Sequence, residues 1–68
     1  MLINKKEIKM RLKKVIKKVE RKIEVLEEHI EFLKLNDADD LVIIYEQELS
    51  FLFGIRHDLW KEINQIGK

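Results

Sequence analysis

Apolar residues recur through the first half of the chain at alternating spacings of four and three residues. The series is Leu12, Ile16, Val19, Ile23, Leu26, Ile30 and Leu33. The same spacing relates Val42, Tyr45, Leu49, Leu52, Arg56, Leu59, Ile63 and Ile66 in the second half. Only Arg56 is charged among these positions, which we call the seam. A seam of this length is typical of α-helices that pack along one narrow stripe.

Polar residues mark where the two helices begin and end. Asn4, followed three positions later by Glu7, predicts a capping box at the start of the first helix. Asp37 follows the end of the first pattern and is predicted as the N-cap of the second helix. The signals predict helix one at about 5–35, a turn at 36–37 and helix two at about 38–66.

Two helices of equal length joined by so short a turn predict one all-α domain over residues 1–68, an antiparallel two-helix hairpin. One continuous helix is the alternative.

Helix two has further apolar residues outside its seam, among them Ile44, Phe51, Phe53, Ile55 and Trp60. Helix one adds Ile8, Val15, Val25 and Phe32. Because one seam cannot cover so wide an apolar surface, we expect the hairpin to dimerise into a four-helix bundle, with the five residues of helix two at the oligomer or partner interface.

Two residues of helix two interrupt its regular pattern. Gly54 lies in mid-helix, four residues after Ser50, and small residues at this spacing predict close packing against a second subunit; the alternative is a bend or hinge in the helix. Arg56 occupies a seam position. Its aliphatic stem is expected to lie along the core while its head reaches solvent or a glutamate; the alternative is that it sets the helix register.

Composition excludes several classes of protein. The 68 residues include no cysteine, so neither a disulfide scaffold nor a thiolate site is available. The longest apolar run covers only residues 41–45, which is too short to span a membrane. No secretory signal pattern is seen, so we expect a cytoplasmic protein. A mixture rich in Lys and Ile but poor in Ala indicates AT-rich coding, as in phages and mobile elements of low-GC bacteria.

Charge is segregated along the chain although the net charge is only +1. Residues 1–22 carry ten Lys or Arg and two Glu, a balance of +8, and residues 23–50 carry one Lys and nine Asp or Glu, a balance of −8. Six cations outside the seam form what we call the basic arc: Lys13, Lys14, Lys17, Lys18, Arg21 and Lys22. Nucleic-acid phosphate, the acidic end of a second copy or an acidic patch on another protein are its three candidate partners.

Catalytic chemistry is not indicated. His29 and His57 are the only histidines, and neither belongs to the Glu-x-x-His pattern of di-iron bundles, because Leu26 and Gly54 stand at the Glu positions. No Gly-rich phosphate loop occurs and no nucleophile is paired with a base. We therefore predict a protein that is not an enzyme, with no cofactor, no metal and no small-molecule substrate.

The architecture resembles the Rop family of plasmid copy-number regulators, and the turn sequence LNDADD at residues 35–40 is similar to that family's acidic turn. The resemblance implies a helical hairpin that dimerises into a four-helix bundle and binds RNA. It covers the topology and these few turn residues, so no site residue is carried over.

The sequence thus favours a non-enzymatic protein–protein interaction module, a small dimeric adaptor or inhibitor. The alternative is a nucleic-acid-binding regulator with Rop-like architecture, which would use the basic arc. A third option is a small scaffold segment of a larger assembly.

Overall fold

The chain folds into a helical hairpin. The computed structural model describes residues 4–66 and contains two helices, α1 (Lys5–Leu35) and α2 (Asp39–Ile66), packed against each other along their length. The molecule measures 53 × 17 × 15 Å. The prediction of an all-helical chain with two helices in contact is confirmed, and the turn is one residue longer than predicted.

Asn4 caps α1 at its first turn. Its backbone is extended, with φ −66° and ψ 135°, and its Oδ1 accepts a hydrogen bond from the Lys6 amide at 2.9 Å. The Glu7 carboxylate accepts from the Arg11 guanidinium at 3.0 Å. The predicted capping box is not observed: Asn4 acts as a simple N-cap to the second helical residue, and Glu7 pairs with Arg11.

The turn between the helices is a Schellman motif. The Ala38 amide donates to the Leu33 carbonyl at 3.0 Å, and the Asp37 amide donates to the Lys34 carbonyl at 3.3 Å. Asp37 has φ +56°, the left-handed conformation that this motif requires after the C-cap residue Asn36. The prediction of Asp37 as the N-cap of α2 is wrong: it ends α1, because its backbone conformation satisfies the last carbonyls of that helix.

The Ala38 carbonyl begins α2 by accepting from the Leu41 and Val42 amides, both at 3.1 Å. Asp39 and Asp40 then lie in the first helical turn, where the helix dipole favours negative charge. The acidic turn therefore stabilises both the C-terminus of α1 and the N-terminus of α2.

The core is the seam that the spacing predicts. Every buried residue of the described chain belongs to it: Ile16, Val19, Ile23, Ile30, Leu33, Val42 and Ile63. Near the turn, Leu26, Ala38, Tyr45 and Leu49 pack against the buried cluster. Elsewhere the seam of α2 is mostly half-buried, because one helix alone can cover only part of it.

The accessible surface is large for the size of the chain. It amounts to 5896 Å², whereas a globular monomer of this mass is expected to expose about 4,600 Å². The excess of about 1,300 Å² comes from an elongated hairpin that exposes apolar residues on both helices.

Candidate interaction surfaces

The seam divides the outer surface of α2 into two sides. Phe51 and Phe53 are two positions apart, so they project about 200° from each other around the helix axis. Ile44 and Ile55 lie on the Phe51 side, whereas Trp60 lies one heptad beyond Phe53. The five predicted interface residues therefore occupy two surfaces of the hairpin.

The first surface extends across both helices, and we call it the apolar face. It consists of five exposed side chains: Val25, Phe32, Leu41, Ile44 and Phe51. The largest are 61% exposed (Phe32) and 68% exposed (Phe51). Ile55 continues this face toward the open end of the hairpin and is half-buried. Single exposed apolar residues are ordinary, but several on one side of a hairpin indicate a contact surface.

A shallow groove lies between the two helices on the side that carries Val25. It has a volume of about 460 Å³ and is lined by Lys18, Arg21, Lys22, Val25, Leu26, His29, Glu48 and Leu52. Glu48 lies one helical turn from both Ile44 and Phe51, so these two residues are its neighbours on the surface of α2. The floor is apolar, and three residues of the basic arc form one end of its rim.

His29 joins the two helices at this groove. Its ring centre lies 5.2 Å from that of Tyr45 on α2 and 6.5 Å from that of Phe32, with the second pair in an edge-to-face arrangement. His29 therefore packs as an aromatic side chain at the border of the apolar face, a contact that its position in the sequence does not indicate.

The second surface lies on the opposite side of the seam, and we call it the acidic side. A smaller groove there is lined by Glu27, Ile30, Glu31, Lys34, Glu46 and Leu49. Phe53 and Trp60 follow Glu46 at intervals of one heptad, so they continue this side toward the open end. Trp60 is 43% exposed.

Arg56 leaves the seam toward the acidic side. Its guanidinium carbon lies 5.0 Å from the centre of the Phe53 ring. The residue is half-buried, as expected for a stem that lies along the core. Its head is placed on an aromatic ring, whereas the sequence predicted solvent or a glutamate.

Gly54 faces open space. A Cβ built on this residue meets no atom within 4 Å, and α2 continues through the position without interruption. Within the hairpin itself, then, nothing requires a glycine here.

The basic arc lies on the solvent-exposed surface of α1. All six of its residues are exposed, and none takes part in the one ion pair that residues 4–66 form, Arg11 with Glu7. Lys18, Arg21 and Lys22 border the groove of the apolar face. The arc thus provides cations that no nearby carboxylate pairs with.

The described residues offer little that is typical of a catalytic or metal centre. Between residues 4 and 66, no three His, Cys, Asp or Glu side chains are grouped closely enough to hold a metal ion. Neither described helix combines the length and apolar character needed to cross a membrane. The surfaces of interest are therefore the apolar face, the acidic side and the basic arc.

Comparison with known proteins gives no relative. No family model matches the chain, and neither the curated proteins nor the solved structures yield a match.

Proposed function

We propose that the chain is a non-enzymatic protein–protein interaction module, a small adaptor or inhibitor that acts as a homodimeric four-helix bundle. The apolar face carries this proposal. Its five large apolar side chains are exposed and helical spacing places them on one side of the seam, and several exposed apolar residues on one side are typical of surfaces that bind other proteins. The excess accessible surface of the single hairpin further supports assembly.

The two surfaces allow a division of roles within this proposal. The apolar face serves assembly, and the acidic side with Phe53 and Trp60 serves the target. A large aromatic residue beside charged groups is typical of binding hot spots. Trp60 is the only tryptophan of the chain, so its fluorescence reports on this surface directly.

The test is affinity capture from a lysate of the source cells, with and without nuclease, followed by binding of the purified target. We expect a stoichiometric protein that survives nuclease and shifts Trp60 emission to shorter wavelength when titrated. Trp60→Ser should weaken its binding at least tenfold, whereas Lys14→Gln, an exposed position two heptads before Glu28 on the outer side of α1, should not. A captured protein that binds both variants equally would contradict the assignment of the acidic side.

The alternative function is a nucleic-acid-binding regulator, which is favoured by the unpaired cations of the basic arc. Phosphate binding releases counterions, so affinity for a labelled RNA or DNA should fall steeply with salt. Lys14→Glu and Lys18→Glu should each reduce the salt slope by about one. Lys34→Glu, near the turn, is the matched control and should leave the slope unchanged. No binding at low salt would exclude this alternative.

A further inference from the structure

The apolar face and the charge distribution together indicate how two hairpins pack. We propose that a second copy of this chain covers the apolar face in an antiparallel, staggered arrangement, with the acidic turn of each hairpin against the basic arc of the other. This inference rests on the homodimer of the proposed function and adds its orientation and contacts.

The position of the apolar face along the hairpin fixes the stagger. The five exposed residues that define it are in the half of the molecule nearer the turn, and half-buried Ile55 extends it slightly farther. At 1.5 Å per residue, the centre of the face lies about 10 Å from the turn. In a two-fold dimer the same patch meets itself, so the axis passes through this centre. The turn of the partner then lies about 20 Å from the hairpin's own turn.

The basic arc begins at that level. Lys22 and Lys18 lie about 20 and 25 Å from the turn along α1. Together with Arg21 they form the cationic rim of the groove. The turn carries three exposed aspartates: Asp37, Asp39 and Asp40. Matching the apolar patches therefore also places opposite charges together, without any further adjustment.

A parallel arrangement of the two hairpins does the reverse. It places the two acidic turns side by side and the two +8 segments side by side. Like charges in proximity oppose association, and they do so most strongly at low salt. Charge complementarity thus favours the antiparallel orientation, and the apolar face provides the surface along which the two hairpins pack.

Spin-label distances test the orientation. The chain has no cysteine, so single-cysteine variants can be labelled at one position each. Sedimentation first measures the oligomeric state, which we expect to be a dimer. We then expect a short distance, about 20–30 Å, between labels at Asn36→Cys near the turn. Labels at Lys6→Cys, at the open end, should be about 70 Å apart.

Every other result overturns the proposal. Two short distances indicate a parallel dimer, and two distances of about 45 Å indicate an antiparallel dimer without the stagger. A monomer at all concentrations also overturns it. A dimer with the wrong distances leaves the capture of a target protein unaffected, so failure of this arrangement is distinguishable from failure of the proposed function.

Neutralising the turn gives an independent test. The double variant Asp39→Asn, Asp40→Asn should raise the dimer dissociation constant about tenfold at low salt, with less effect at high salt. Glu24→Gln with Glu31→Gln is the matched control: it removes two exposed carboxylates of α1 that line the opposite surface and should leave the constant unchanged. A tighter dimer after neutralisation of the turn would indicate the parallel arrangement. Helix content should be checked by circular dichroism.

Discussion

The guanidinium of Arg56 lies over the ring of Phe53, three positions earlier on α2, at 5.0 Å from the ring centre. A cation over an aromatic face at an exposed site contributes about 0.5–1 kcal/mol. The contact explains how a charged residue fits a seam position, because the head leaves the core while the stem stays in it. It also makes Phe53 part of the hairpin's own packing as well as of the acidic side.

A double-mutant cycle tests this pair. Arg56→Met keeps most of the stem, and Phe53→Leu keeps an apolar side chain. We expect a coupling of about 0.5–1 kcal/mol in the free energy of unfolding, measured with urea. Phe51→Leu is the control, since it lies on the other side of α2 and should show no coupling to Arg56. Equal coupling to both phenylalanines would show that the ring contact is not the cause.

Asp37 adopts a left-handed backbone conformation that glycine enters without steric cost. Asp37→Gly should therefore raise the free energy of unfolding by about 0.5–1 kcal/mol. Asn36→Gly provides the contrast, because Asn36 has φ −103° and its side-chain amide donates to the Phe32 carbonyl at 2.8 Å. That variant should destabilise the hairpin. Thermal unfolding compares the stability of each variant with that of the unmodified protein. A loss of stability in Asp37→Gly would contradict the role of this residue in the Schellman motif.

Gly54→Ala should stabilise the protein by about 0.5–1 kcal/mol, because alanine favours the helix and the added methyl group meets open space. Gly54 also lies outside the apolar face, so the dimer dissociation constant should not change. Sedimentation together with thermal unfolding measures both effects. A weaker dimer would support the other prediction, that Ser50 and Gly54 together permit close approach of a second subunit.

Ile23 and Val25 are two positions apart on α1, and they allow a core position to be compared with a surface position. Ile23 is 4% exposed and Val25 is 58% exposed. Ile23→Ala should cost about 2–4 kcal/mol, at any protein concentration. Val25→Ala should cost less than about 0.5 kcal/mol in the monomer. In the dimer its cost should grow with protein concentration, since the proposed interface covers it. Urea unfolding at two protein concentrations measures this difference. If the loss of unfolding free energy in Val25→Ala does not depend on protein concentration, the apolar face is not the interface.

The sequence predicted the seam well because burial along a helix depends on local periodicity. All seven buried residues occupy predicted seam positions. Asp37 was harder to assign, because aspartate favours both an N-cap and a left-handed turn residue, and the two roles differ only in backbone conformation. The contact of His29 with Tyr45 was not predictable, since it joins residues of different helices whose relative rotation the pattern does not fix.

Residue spacing and composition along one chain were enough to predict the two helices, the seam and the segregation of charge. Which outer residues share a surface depends on how the two helices pack against each other. Packing the seams together brings Val25 and His29 of α1 to the same groove as Glu48 and Leu52 of α2, and brings Glu27 and Glu31 to the other groove with Glu46 and Leu49. Seam side chains of the two helices interlock, and this contact sets the rotation and register of one helix against the other, so it cannot be derived from either helix alone.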